Sequence, residues 1–230
     1  MKIGGFQKMT VLDYPGKVAC TVFLAGCNFR CPFCHNALLV TKQNENEISA
    51  EAVIDYLSRR KGLLDGVCIT GGEPLLNEDI ELLLNPIKQL GYSIKLDTNG
   101  SRPQMLRRLV EKGLVDYIAM DIKSCPEDYP VVSGVKGLDF TDIRDSIQYI
   151  ISCGIDYEFR TTVVKGLHTV DSVTSAAKMI RGAKRYYLQG FKDSGELINT
   201  SGLSAHSREA MEEMLLQVRK YVPDAEIRGL

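Results

Sequence analysis

The chain has 230 residues, of which 44% are hydrophobic and 25% charged, so it can bury a substantial core and reads as a single domain over 1–230. Its net charge of −1 argues against a broad electrostatic footprint for nucleic acid or anionic membrane, and no apolar run is long enough to span a bilayer. Seven cysteines, an odd number in a chain too long to need disulfide staples, fit reduced thiols in the cytoplasm with some of them bound to metal.

From the N-terminus, 18–25 reads as a buried strand. Its end, Phe23-Leu24-Ala25-Gly26-Cys27, imitates a lipoprotein cleavage box, but Asp13, Pro15, Gly16 and Lys17 stand where a signal core would be apolar. Ala50, Val53, Ile54 and Leu57 recur at helical spacing behind Ser49, a good N-cap. A strand over 67–70 runs into Gly71-Gly72-Glu73-Pro74, and Ile80, Leu83, Leu84 and Ile87 mark a helix that Pro86 should bend. A strand over 92–96 ends at Asp97-Thr98-Asn99-Gly100. Ser101 can cap the next helix, with Pro103 in its first turn and Leu106, Leu109 and Val110 inward. A strand over 115–120 ends at Asp121-Ile122-Lys123, and Thr141 caps a helix carrying Ile143, Ile147, Ile150 and Ile151. After a strand over 157–164, Asp171 caps a helix with Val173, Ala176, Ala177 and Ile180 inward. A strand over 186–189 precedes a helix over 207–220 with Met211, Met214, Leu215 and Val218 in a stripe.

About six β-then-α units predict an α/β fold with a parallel sheet and covering helices. Six fall short of the eight in a closed barrel, so the expected architecture is an open, partial (β/α)6 barrel, with a doubly wound sheet as the alternative. Both gather ligands at the carboxyl ends of the strands. Cys27, Gly71, Asp97, Asp121 and Gln189 each follow a predicted strand directly.

Cys27, Cys31 and Cys34 crowd into one loop, with three residues in the first gap and two in the second. A [4Fe–4S] cube normally takes one thiolate at each of its four iron corners, so three cysteines leave one iron open to another ligand. Structural zinc prefers two well-separated ligand pairs, and Cys34 beside His35 would chelate awkwardly. A ferredoxin-like carrier wants a fourth cysteine, whereas Cys20, Cys68, Cys125 and Cys153 are scattered and read as packing residues. In Gly71-Gly72-Glu73-Pro74, two glycines allow the backbone to approach a ligand and leave peptide groups and one carboxylate for a ligand amino group; an ordinary tight turn is the alternative. Taken alone, Asp97-Thr98-Asn99-Gly100 is an Asx turn, Asp121 and Lys123 form an exposed salt bridge, and Arg160 is a strand-face cation. His35 is either a proton-transfer group or a brace for the loop, and His168 and His206 read as surface residues.

Three cysteines at this spacing after the first strand, with Phe33 just before the third, resemble the radical S-adenosylmethionine superfamily, and Gly71-Gly72-Glu73-Pro74 matches that family's methionine-binding turn. Asp97-Thr98-Asn99-Gly100 and Asp121-Ile122-Lys123 resemble strand-end motifs of the glycyl-radical-enzyme activating group. So do Val11-Leu12-Asp13-Tyr14-Pro15-Gly16-Lys17 and Cys34-His35-Asn36. The likeness covers nearly the whole chain and is nearest to the activating proteins of anaerobic ribonucleoside-triphosphate reductase, related to those of pyruvate formate-lyase.

The resemblance implies that Cys27, Cys31 and Cys34 hold a [4Fe–4S] cluster whose open iron is chelated by S-adenosylmethionine. It implies cofactor contacts at Phe33, Gly71, Gly72, Glu73, Pro74, Asp97, Thr98, Asn99, Asp121, Lys123 and Arg160, with the aspartates available to a monovalent cation. Activating enzymes of the pyruvate formate-lyase type carry a His after the last barrel strand; here Tyr187-Leu188-Gln189-Gly190-Phe191 places Gln189 there instead. The implied chemistry is reductive cleavage to methionine and a 5′-deoxyadenosyl radical, which takes a hydrogen atom from a glycine Cα of a partner glycyl-radical enzyme. The electron would come from a low-potential flavodoxin or ferredoxin. A radical enzyme acting on a small molecule or on another glycyl-radical enzyme, and a non-catalytic electron-transfer protein, are the alternatives.

Overall fold

The computed structural model of the chain describes every residue except 42–47, 194, 196 and 200. Its strands are β1 (Ile3–Thr10), β2 (Ala19–Leu24), β3 (Gly66–Gly71), β4 (Ser93–Thr98), β5 (Tyr117–Asp121), β6 (Asp156–Val163), β7 (Tyr186–Gly190) and β8 (Ala225–Arg228). The helices are α1 (Ala37–Thr41), α2 (Ala50–Ser58), α3 (Glu81–Gln89), α4 (Pro103–Glu111), α5 (Tyr129–Ser133), α6 (Thr141–Ser152), α7 (Val170–Met179) and α8 (Arg208–Val218). Hydrogen-bonded neighbours follow chain order from β1 to β8. A doubly wound sheet would reverse its order at a switch point, so this progression is that of a partial barrel wall. The six expected β-then-α units start at β2 through β7. Two strands lie outside them: β1, antiparallel to β2, and β8, parallel to β7. β1 lacks clean alternation and carries two glycines, and β8 has only four residues, so neither offers a strong period-2 signal. No helix among the described residues is long and apolar enough to cross a membrane.

The chain partitions into two compact units that interleave in sequence. The first comprises Met1–Asn28, Leu38–Thr98 and Gln104–Ile118; the second comprises Phe29–Ala37, Asn99–Pro103 and Ala119–Leu230. In the first, the parallel register sets Val22, Ile69 and Leu96 side by side in one apolar row. All three are fully buried, as are Val53 and Leu57 of α2 and Leu83, Leu84 and Ile87 of α3. The opposite face carries Thr21, Cys68 and Lys95 in register, polar yet almost fully buried. In the second unit, Phe159, Tyr186 and Ala225 make a buried row, while Arg160, Tyr187 and Glu226 lie on the other face. One face of each parallel run therefore packs under helices, and the other carries the chemistry.

One helix cap follows the sequence reading, the Ser49 side chain accepting from the Ala52 N–H at 3.1 Å, and Ser207, at the start of the expected last helix, caps α8 by accepting from the Ala210 N–H at 3.3 Å. Two differ. Thr141 is already helical, and its N–H is taken by the Asp139 side chain at 2.9 Å. α7 is capped by Thr169 rather than Asp171, in a reciprocal capping box with Ser172.

Candidate active site

In the first unit, β2 runs out through Gly26 into Cys27, and β3 ends at Gly71. Backbone bonds stitch these exits together. Gly72 N–H donates to Leu24 O and Glu73 N–H to Gly26 O, both at 2.8 Å. Gly71 sits at φ +117°, and a Cβ there would meet Leu24 O at 2.3 Å. At Gly72 a Cβ would lie 1.9 Å from Gly26 O and 3.3 Å from the Cys27 Cβ. The bare sides of both glycines thus face the chain's own backbone beside the first cysteine, where the sequence reading had them clearing space for a ligand.

Glu73 is fully buried. Its Oε1 accepts from Leu75 N–H at 3.1 Å and from the Thr98 hydroxyl at 2.8 Å, capping the short 3₁₀ turn Pro74–Leu76 and bracing it to the end of β4. The carboxylate is therefore occupied in joining two strand ends. Asp97 accepts from the Lys95 ammonium, which is 1% exposed and lies 3.8 Å from the Cys68 sulfur.

In the second unit the rest of the thiol loop is pinned at several points. Arg30 N–H donates to Ser133 O at 2.8 Å, the Cys31 sulfur lies 3.8 Å from the same carbonyl, and Asn199 N–H donates to Pro32 O at 2.9 Å. Cys34 N–H closes a turn onto Cys31 O at 3.1 Å. Phe33 is buried, edge-on to His168 with ring centres 6.2 Å apart. Burial raises the Cys34 thiol pKa, against the Asn36 N–H and the nearby Lys123 charge, which lower it. Burial lowers the pKa of His35, whose ring lies 6.1 Å from that of Phe191.

The end of β5 delivers a charge cluster. Asp121 Oδ2 accepts from Lys123 Nζ at 3.1 Å, and Oδ1 accepts from Arg160 Nε and Nη2 at 2.9 Å each. Burial alone would raise the Asp121 pKa, but the Arg160 and Lys123 charges outweigh it and hold the carboxyl at about 2. Burial works to lower the Lys123 pKa, but Asp121 and then Cys31 more than reverse that, so the ammonium stays charged. Asn99 makes the Asx turn read for it, its Oδ1 accepting from Ser101 N–H at 2.9 Å. Gln189 lies within β7 rather than after it, in the row of Thr162 and Arg228.

Three further charged residues are not marked by the sequence motifs, and one histidine expected at the surface is buried. His168 is 3% exposed, not a surface residue. Val164 N–H donates to its Nδ1 at 3.1 Å, so the proton sits on Nε2, which donates to Lys123 O at 2.7 Å. The neutral ring therefore ties the backbone of Lys123 in place, and burial lowers its pKa further from protonation. Lys95, Glu158 and Arg228 carry charges inside strand segments, and a charge at an inward position of a strand is the signal that marks them. Among the described residues, no three His, Cys, Asp or Glu side chains gather as ligands of one metal ion. A cubane takes one thiolate at each iron corner, a different arrangement.

The sequence model described as the radical SAM superfamily matches residues 21–180. A Methanocaldococcus jannaschii protein bearing the name of a glycyl-radical enzyme activating enzyme is 28% identical over 237 aligned residues, covering 99% of this chain and 96% of its own length. The pyruvate formate-lyase-activating enzyme of Clostridium pasteurianum is 25% identical over 201, covering 84% and 83%. Among solved structures, a radical SAM methyltransferase from Sphaerobacter thermophilus superposes with a TM-score of 0.74 over 94% of this chain and 67% of that one; at 15% identity it shows the shared fold. The chain belongs to the radical SAM superfamily, whose members use a [4Fe–4S] cluster together with S-adenosylmethionine.

Proposed function

We propose that this chain installs a glycyl radical on a partner enzyme, an anaerobic ribonucleotide reductase, with a cluster held by Cys27, Cys31 and Cys34 and fed by a low-potential flavodoxin or ferredoxin in the cytoplasm. The observation that carries this reading is the thiol loop. It offers three cysteines outside any disulfide, with its backbone tied down on both sides of Cys31. That donor set fits three corners of a cubane. When bound, the cluster and S-adenosylmethionine supply an electron and a carbon-centred oxidant able to take a hydrogen atom from a glycine Cα.

The chain's own residues bind and orient. An ammonium has three N–H donors and Asp121 takes one from Lys123, so that group suits a ligand carboxylate. Asp121 aims Lys123 and Arg160 and keeps the Lys123 ammonium charged. Glu73 and Thr98 brace the strand ends, and Gly72 holds Cys27 close to the exit of β3. Support for a glycyl-radical enzyme as partner comes from relatives aligned over 99% and 84% of this chain that carry the activating-enzyme name, while the choice of a ribonucleotide reductase rests on the motif resemblance in the sequence.

The test mixes anaerobic, cluster-loaded protein with S-adenosylmethionine, reduced flavodoxin and the anaerobic reductase. A glycyl-radical EPR doublet on the reductase, absent when its target glycine is changed to alanine, is expected. Turnover of a small metabolite with no protein radical would defeat the proposal.

A further inference from the structure

β6 carries Glu158 and Arg160 at alternate positions, so both point to one face of the sheet. The register adds Tyr187 of β7 beside Arg160, and Arg228 of β8 beside Gln189, on that same face. Glu158 is 1% exposed. Its Oε1 and Oε2 accept from the two terminal nitrogens of Arg228 at 3.1 and 3.2 Å, a fork against a fork. The Arg228 guanidinium stacks on the Tyr187 ring, 3.1 Å from its centre, which fixes the plane of the fork. Glu158 Oε1 also lies 4.0 Å from a terminal nitrogen of Arg160. Arg160 thus lies between two carboxylates, hydrogen-bonded to Asp121 at one edge and within the longer reach of an ion pair to Glu158 at the other.

A carboxylate this deeply buried is costly unless paired, and well-packed apolar residues usually do as well or better for stability. What an ion pair supplies and an apolar pair cannot is a fixed direction for a neighbouring charge. We infer that Glu158 and Arg228 are positioning residues of the candidate site, acting through Arg160. Arg228 orients Glu158, Glu158 restrains Arg160, and Arg160 with Lys123 and Asp121 presents a preset cationic face to a ligand carboxylate. This rests on the reading above, in which that carboxylate belongs to S-adenosylmethionine.

The test uses Glu158→Gln, Arg228→Leu, Arg228→Lys and the double variant Glu158→Gln/Arg228→Leu, with two readouts. Calorimetry measures S-adenosylmethionine binding to the cluster-loaded protein. Nitrogen-15 NMR of the full chain measures solvent exchange of the Arg160 Nε–H. Glu158→Gln and Arg228→Leu should each raise Kd about tenfold, the size of one lost charge-assisted hydrogen bond, while iron content stays at the parent level. The double variant should be no worse than either single one, because both act along one route. Arg228→Lys, which keeps charge but loses the fork, should recover part of the loss and covers the case in which the leucine variant fails to fold. Arg160 Nε–H exchange should speed up in step with Kd. Unchanged Kd and unchanged exchange in folded variants would overturn the inference and leave the pair a packing feature. A parent protein that binds no S-adenosylmethionine would instead defeat the assigned function, and the exchange rates alone would then decide whether Arg160 is restrained.

Discussion

In the first unit, Cys27 and the turn after β3 are placed by backbone: glycines in contact with carbonyls, and Glu73 holding a hydroxyl and an N–H. In the second, Lys123 and Arg160 are placed by a carboxylate, and they are arranged by charge. The first kind of placement depends on shape and is indifferent to salt. The second depends on ionisation and is screened where water reaches it. The comparison assigns the first unit the task of fixing position and the second the task of supplying charge.

The largest effect should come at the thiol loop. Cys31→Ala removes one of three thiolates and should drop bound iron and S-adenosylmethionine cleavage to background; retained cleavage would refute the ligand assignment. Gly72→Ala comes next. Its Cβ cannot sit 1.9 Å from Gly26 O, so the two exits must move apart, at a cost of about 3 kcal/mol, the upper part of the usual range for overpacking. Urea unfolding should show the loss, and iron incorporation should fall with it.

Thr98→Val takes one donor from a buried carboxylate and should cost about 2 kcal/mol. That loss should be the same at low salt and in 1 M NaCl, which is where the comparison is sharpest. Asp121→Asn should cost about 1 kcal/mol or less at pH 7, because the carboxylate is partly open to water, and the cost should shrink with salt. Its pH dependence has a definite sign. The folded carboxyl titrates at about 2, below an unfolded value of about 3.9, so its stabilisation is complete above about pH 5. The gap between parent and Asp121→Asn in urea midpoint should close as pH falls from about 4 toward 2. A gap that widened on acidification, or a Thr98→Val loss that faded with salt, would break the division between the two units.

Much of the architecture was legible because it is written locally. Apolar runs such as 67–70 flank turn residues, and Ser49 is a cap that needs only its own next turn. The thiol loop was legible for a different reason: three cysteines so close together have few uses beyond binding metal or cluster. What the sequence hides is partnership at a distance. Glu158 meets Arg228 from 70 residues away, and His168 reaches Lys123 O across 45. Nothing in the spacing of those residues announces the contact, since the parallel register that aligns β6, β7 and β8 creates it. The two glycines after β3 show the opposite limit. Their presence was informative, but whether their bare sides face ligand or backbone is decided by how closely β2 and β3 run at their ends.

The central claim is that three cysteines hold a cubane with one iron left for the cofactor. Low-temperature EPR of the reduced, anaerobically reconstituted protein, recorded with and without S-adenosylmethionine, addresses it most directly. A [4Fe–4S]⁺ signal that changes shape when the cofactor is added is the expected result. A signal indifferent to the cofactor, or a protein that holds zinc and no iron, would contradict it.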